Sequence, residues 1–363
     1  MILQGDNMQI MPTLDAESSH TCVTSPPYWG LRDYGIPPTA WPEVTYTPMP
    51  GLPPVTVPAW TGCLGLEPTP EMFVAHSVVV FREVWRLLRK DGTLWLNYGD
   101  SYATGTKADR KQSSNPGVGA NRPEAQNSVP RIGTPKGLKT KDLIGIPWRV
   151  AFALQADGWY LRMDNIWSKS NPMPESVTDR PTKAHEYFFL LAKSERYYFD
   201  HEAIKEKQTE TSVTRLSQNI EVQSGSKRAN GGTRTERPMK ALGGAYSFKR
   251  KVNEGDVPGQ PKQHREDRED IEYSGSRNKR SVWTMATAQF KEAHFATFPE
   301  KLIEPCILAG APPGGHVLDP FGGSGTTRKV ALENNRECTI IEIGPQYVEI
   351  AQRRTAIIQQ QLF

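Results

Sequence analysis

The chain has 363 residues, a formal net charge of +4 and 37% hydrophobic residues, enough for one large domain with insertions or two modest ones. No apolar run approaches the roughly 20 residues that a membrane helix needs, and the opening MILQGDNMQIMPTL lacks the basic and apolar regions of a signal peptide. Cys22, Cys63, Cys306 and Cys338 show no metal-ligand spacing, so a soluble cytoplasmic protein with reduced thiols and no bound metal is expected.

Residues 1–35 carry short apolar runs, and residues 36–70 are Pro-rich and read as an extended loop. From Glu71 to Lys90, Phe73, Val74, Val78, Phe81, Val84, Trp85 and Leu88 recur at helical spacing, with Asp91-Gly92 as the stop. Thr93–Tyr98 then reads as a buried strand. Residues 101–141 hold eight Lys/Arg against two Asp/Glu and almost no large apolar side chains. A helix is predicted over Ile146–Gln155, with Pro147 tolerated in its first turn and Gly158 closing it. Strands follow at Tyr160–Trp167 and Tyr187–Ala192. Residues 205–280 are again loose, with seventeen Lys/Arg against eleven Asp/Glu. From Phe295 the chain tightens: helix Glu300–Leu308, strand Val317–Asp319, helix Thr326–Glu333, strand Cys338–Ile343, helix Gln346–Arg354. Such alternation implies parallel βαβ winding and an α/β fold.

Each basic segment has a surplus of six positive charges, more than the whole chain's +4, so the compact parts are net acidic. Charge runs are usually solvated loops. The functional alternative is a pair of arms that grip phosphates and order on binding, with Lys227, Arg228, Arg234, Lys249, Arg250 and Lys251 as candidate nucleic-acid phosphate contacts.

Val317-Leu318-Asp319-Pro320-Phe321-Gly322-Gly323-Ser324-Gly325-Thr326-Thr327 is a strand, a Gly-rich turn and a helix start. Glycines let backbone approach a ligand, and the helix N-terminus offers free N–H groups. Glu342 ends the next strand, 23 residues after Asp319, where an acid can accept from ribose hydroxyls. This half should bind a nucleoside. No Gly-Lys-Ser/Thr follows, which excludes a P-loop; a dinucleotide-binding turn stays open, although the spacing is not GxGxxG.

At the other end stands Val23-Thr24-Ser25-Pro26-Pro27-Tyr28-Trp29. Two prolines fix the backbone, so Ser25 Oγ and the Pro26 carbonyl can aim at one spot, with the Tyr28 ring as a stacking face. An aromatic amine is a poor nucleophile because its lone pair is delocalised. Two acceptors on its protons favour a more pyramidal nitrogen, ready for in-line methyl transfer. A target inside a duplex must first be flipped out and stacked on an aromatic residue, Tyr28 first and Trp29 second.

These segments resemble the N4-cytosine/N6-adenine amino-methyltransferases of restriction–modification systems and phages. Ser-Pro-Pro-Tyr is similar to the N4-cytosine variant, since adenine enzymes more often carry Asp or Asn at the Ser25 position. With the catalytic loop first and the glycines last, the order resembles the circularly permuted beta class. The resemblance implies a Rossmann-like S-adenosylmethionine-dependent methyltransferase fold with a permuted mixed sheet. It implies Met1–Gln4 as third strand, Asp6 near the cofactor adenine and Glu342 on the ribose. The Pro320, Phe321, Gly323, Ser324, Gly325 and Thr326 turn then surrounds the methionine part, with Asp319 near its amino group and Thr297 helping to hold it. Catalysis falls to Ser25, Pro26, Pro27 and Tyr28. The implied organisation is 1–204 as the first part of the catalytic domain, with a basic insertion at about 101–141; 205–283 as a loop-rich target-recognition region; and 284–363 as the cofactor-binding part.

The implied substrate is double-stranded DNA in a bacterial or phage setting, with room for a separate restriction endonuclease and for a homodimer. An RNA or small-amine methyltransferase, or a DNA-binding protein with a relic fold, are the rivals. Basic insertions speak against a small-molecule enzyme, and intact motifs against a relic. Pro305-Cys306 resembles the nucleophile of C5-cytosine enzymes but lies in an apolar helical run, so Cys306 reads as structural.

Overall fold

Strand residues of this chain alternate between two apolar faces, and the alternation decides where the helices pack. A computed structural model describes residues 1–31, 33, 35–103, 134–208, 276–287 and 298–361, with side chains as far as residue 356. In chain order it begins with β1 (Ile2–Gln4), the short helix α1 (Asn7–Ile10) and β2 (Ser19–Thr24). Two hairpin-like pairs follow where an extended loop was expected: β3 (Thr39–Trp41) with β6 (Trp60–Gly62), and β4 (Val44–Tyr46) with β5 (Val55–Val57), both antiparallel. Helix α2 (Pro70–Leu87) is capped by Thr69, whose hydroxyl accepts from Met72 N, with Pro70 pre-set for the first turn.

β7 (Leu88–Tyr98) starts five residues earlier than predicted. Asp91-Gly92 does not end the helix. It lies where the pairing with β2 slips, between Ser19↔Leu88 and Thr21↔Thr93, so a turn-like dipeptide is absorbed as an irregularity inside a strand. Then come α3 (Ile146–Ala156), β8 (Tyr160–Lys169), β9 (His185–Ala192), β10 (Glu206–Lys207), β11 (Ser276–Arg277), β12 (Val282–Met285), α4 (Glu300–Gly310), β13 (His316–Asp319), α5 (Thr326–Glu333), β14 (Glu337–Glu342) and α6 (Pro345–Gln361). Asp100 caps α3 from a distance, accepting from Gly145 N and Ile146 N at 3.0 Å each.

Eight strands form one mixed sheet in the order β1-β14-β13-β2-β7-β9-β8-β12. Within it, the β7/β9 and β9/β8 pairings are antiparallel and the others parallel. On one face, Cys22, Leu94, Leu96, Phe189 and Leu191 pack with Phe73, Phe81, Val84, Val150 and Leu154 of α2 and α3. On the other, Val23, Trp95, Phe188, Val317 and Ile340 pack with Leu302, Ile303, Cys306, Ile307, Val330 and Ala351 of α4, α5 and α6. Each buried Val, Leu, Ile or Phe among them contributes about 1.5–3 kcal/mol. Two units divide the chain: 1–204 with 280–363, and 205–279. The described part of the second is the β10/β11 pair, where Arg277 and Lys279 both approach Glu206. β12 belongs to the main sheet, and the first unit resumes at Arg280. Among the described residues no helix is long and apolar enough to cross a membrane, and no cluster of His, Cys, Asp or Glu could hold a metal ion.

Candidate active site

The strand order places β1, β14, β13 and β2 side by side, so their C-terminal ends line one cleft. Asp319, at the end of β13, is 2% exposed. It accepts from Thr24 Oγ1 and Thr327 Oγ1 at 2.7 Å each and from Phe321 N at 3.0 Å. Burial pushes its carboxyl up, against the pull of these three donors. Thr24 precedes Ser25, so this carboxylate pins the Ser-Pro-Pro-Tyr segment to the Gly-rich turn across 295 residues of sequence.

The turn itself needs glycine twice. A Cβ on Gly322 would stand 2.7 Å from Ile340 Cβ, and Gly325 has φ +78° with Ala351 Cβ 2.8 Å from where its own Cβ would sit. Gly325→Ala should therefore cost about 2 kcal/mol from strain and overpacking. A lower urea midpoint at unchanged m-value checks this, and an unshifted midpoint would refute it. Ser324 and Thr326 turn their hydroxyls to Arg354 Nη1, at 2.8 and 3.0 Å, and Arg354 also pairs with Glu300.

Glu342 ends β14. Its Oε2 accepts from Gly323 N at 2.8 Å and its Oε1 from Gly344 N at 2.7 Å, and burial pushes its carboxyl up. Asp6 lies just past the neighbouring β1, where Gln4 pairs with Glu342. One Asp6 oxygen caps α1 through Met8 N and the other accepts from Thr39 Oγ1 at 2.7 Å.

The cleft is lined by Asp6, Asn7, Ser25, Pro27, Asp319, Pro320, Phe321, Gly323, Ser324, Thr326 and Glu342, with Ile36, Trp41, Leu64, Ile341 and Tyr347 as apolar walls. Among the described residues, three carboxylates and no lysine or arginine line it. That suits a ligand with a positive centre, ribose hydroxyls and a flat apolar ring, the features of S-adenosylmethionine.

At its rim, Ser25 Oγ donates towards Tyr28 Oη at 3.3 Å and Asn97 Oδ1 at 3.4 Å. Tyr28 Oη stands 2.9 Å from both Asn97 Oδ1 and Glu186 Oε2. The Tyr28 ring lies on Gly99, where any Cβ would come within 2.5 Å of it, and is 6.0 Å from the Tyr98 ring.

A family model described as DNA methylase, of the N6/N4 kind, matches residues 19–353. The chain belongs to this DNA methylase family. Type II methyltransferase M.Cfr9I of Citrobacter freundii is 39% identical over 97% of this chain and 86% of its own length. M.SmaI of Serratia marcescens is 38% identical, over 97% and 89%. The PvuII DNA methyltransferase, named cytosine-N4-specific, shares the fold with a TM-score of 0.53 at 16% identity, over 99% of this chain and 92% of its own. A DNA modification methylase of Thermus thermophilus, TTHA0409, solved with S-adenosyl-L-methionine, gives 0.50 at 17%, over 98% and 93%. The protein is thus a DNA methyltransferase that uses S-adenosyl-L-methionine.

One expectation about this methylase needs revision, and others lie outside the described residues. Trp29 is 3% exposed and donates its indole N–H to the Glu67 carbonyl at 2.9 Å. It is a core residue and offers no exposed face to a base. Pro26 has a buried ring, and of the two prolines it is Pro27 that lines the cofactor cleft. Thr297 and the six basic residues at 227, 228, 234 and 249–251 lie outside the described residues. Cys306 is buried in α4 with Sγ near the Leu302 carbonyl, away from the cleft.

Around the cleft and Tyr28 stand residues to which motif reading gave no site role. Trp41 and Leu64 wall the cleft from the β3–β6 region, and Asn97 and Glu186 meet Tyr28 from β7 and β9. Their signal was faint: an Asn inside an apolar strand run, and an acid at the start of another.

Proposed function

We propose that the methylase transfers the methyl group to the exocyclic N4 amino group of cytosine in duplex DNA, with the target base flipped out. The observation that carries this reading is Ser25, a neutral hydroxyl at the rim of the cofactor cleft, one residue from the Thr24–Asp319 bond that fixes its position. The flipped base would lie on the Tyr28 ring, and its amino protons would meet Ser25 Oγ and the Pro26 carbonyl. Such acceptors make the nitrogen more pyramidal and more nucleophilic. Much of the acceleration comes from holding the amine in line. S-adenosylmethionine supplies, when bound, an electrophilic methyl group on a sulfonium. Glu342 would hold its ribose, Asp6 and the apolar walls its adenine, and the Phe321–Thr326 backbone its methionine part.

Adenine N6 is the second reading. The E. coli protein named DNA adenine methyltransferase YhdJ is 38% identical over 78 residues, 20% of this chain. Ser25, where Asp or Asn is more usual for adenine, favours cytosine. The names of the full-length relatives speak against an RNA or small-amine substrate. A separate restriction endonuclease fits those names too, and unit 205–279 is suited by charge to contact phosphates and select the site. A homodimer is open to light scattering.

Labelled S-adenosylmethionine, unmethylated mixed-sequence duplex and nucleoside mass spectrometry test the target atom. N4-methylcytosine is the expected product. N6-methyladenine would move the assignment to the second reading while keeping cofactor and fold.

A further inference from the structure

The catalytic loop is wired to a carboxylate that the motif itself does not contain. Asn97 Nδ2 donates to the Tyr187 carbonyl at 2.9 Å, which fixes the amide so that its Oδ1 faces Ser25 and Tyr28. An amide oxygen takes hydrogen bonds but not a proton at ordinary pH. Glu186 Oε2, also 2.9 Å from Tyr28 Oη, is the stronger acceptor of the two that compete for the phenol proton. With that proton directed to Glu186, the phenol oxygen accepts from Ser25 Oγ at 3.3 Å. On its other side Glu186 Oε1 pairs with Lys169 Nζ, which sits 4.7 Å above the Trp167 ring, and Lys183 adds positive field nearby. A line of hydrogen bonds therefore runs from Ser25 through Tyr28 to a carboxylate held in place by a lysine.

We propose that Glu186 is the terminal acceptor for the proton that the target amino group releases, reached through Ser25 Oγ and Tyr28 Oη. This rests on Ser25 and Tyr28 forming the catalytic loop. As the amino nitrogen gains its methyl group it carries one proton too many. That proton passes to Ser25 Oγ, the Ser25 proton to Tyr28 Oη, and the Tyr28 proton to Glu186 Oε2. The electron pair left on nitrogen returns to the ring, Ser25 and Tyr28 end unchanged, and Glu186 ends as a neutral acid that water later deprotonates. The nitrogen is a strong acid at that moment, and a carboxylate is a base that can take its proton. Glu186 acts through Tyr28 and touches no reacting atom itself.

The test uses the full-length enzyme, S-adenosylmethionine and unmethylated mixed-sequence duplex DNA. Glu186→Gln should lower kcat by roughly tenfold or more, with KM for both substrates within about twofold. Tyr28→Phe keeps the stacking face and the Glu186–Lys169 pair, so it tests the same relay should the Glu186 variant fold poorly. The double variant should lose no more than the worse single one, because both break one chain. Added formate should restore part of the activity of Glu186→Ala, which a purely structural role would not allow. Multiplicative losses without formate rescue, or a Glu186→Gln kcat within twofold of the parent, would overturn the relay. If Ser25→Ala kept full turnover, the catalytic-loop reading underneath would fall instead, which separates the two failures.

Discussion

Ser25→Ala should lower kcat on duplex DNA by roughly 100-fold, while the Kd for S-adenosylmethionine stays within about twofold. The asymmetry follows from where Ser25 stands. It shares the cleft with the cofactor turn, and its Oγ faces Tyr28 and Asn97 rather than that turn. Thr24 still anchors the strand end to Asp319 in the variant, and Pro26 and Pro27 still fix the backbone. In the proposed arrangement the variant loses one acceptor on the amino protons and the first link of the proton line. Residual activity is expected, because the Pro26 carbonyl and the Tyr28 face would still position the base. Single-turnover methyl transfer and calorimetric cofactor titration read the two quantities separately. A parallel loss of cofactor affinity would mean that Ser25 shapes the cofactor cleft rather than the chemistry.

Glu342→Ala should give the opposite pattern, raising the cofactor Kd by one to two orders of magnitude. A hydrogen bond to a charged acceptor contributes about 1.5–3 kcal/mol, and about 1.4 kcal/mol is tenfold. The carboxylate also receives Gly323 N of the Gly-rich turn and Gly344 N between β14 and α6, so its removal frees both segments. Glu342→Gln, which keeps one acceptor, should lose less. The pH dependence has a definite sign. Burial raises the Glu342 carboxyl above the usual glutamate range, and the protonated form has one acceptor fewer. Cofactor affinity should therefore fall as pH decreases through that raised range, before an exposed glutamate would titrate. The Gln variant should show no such limb. An Ala variant with parental affinity would remove Glu342 from the site.

Both ends of the sequence announced their parts because each is a local device. Val317 through Thr327 is a strand, a turn with steric reasons for glycine, and a helix start, all in one short run. The βαβ alternation of the last segment fixed β13 and β14 as parallel neighbours, and permutation placed β1 beside β14. What stayed hidden depends on contacts between distant segments. Three-residue strands such as Val44–Tyr46 carry too little pattern to stand out in a Pro-rich stretch. Trp29 looked like a second stacking face because an aromatic next to Tyr28 says nothing about which way it points. Its burial follows from the Glu67 carbonyl, 38 residues away. Asn97 and Glu186 became visible only when the antiparallel β7/β9 pairing set Asn97 opposite Phe188 and brought Glu186 to the same edge.

β1 pairs with β14 across nearly the whole chain, Ile2 opposite Ile340. Closing so large a loop is entropically unfavourable and slow, so this seam should be among the last parts to dock during folding and an early one to open. The cleft straddles it, with Gly5 and Asp6 on one side and Ile341 and Glu342 on the other. A bound cofactor then works as a clasp: it must leave, or be carried at a cost, each time the seam parts. Amide hydrogen exchange in β1 should slow when S-adenosylmethionine is present, while the α2–β7 core exchanges at its own pace. Cellular cofactor supply would in this way set how long the folded enzyme persists, as well as how fast it turns over.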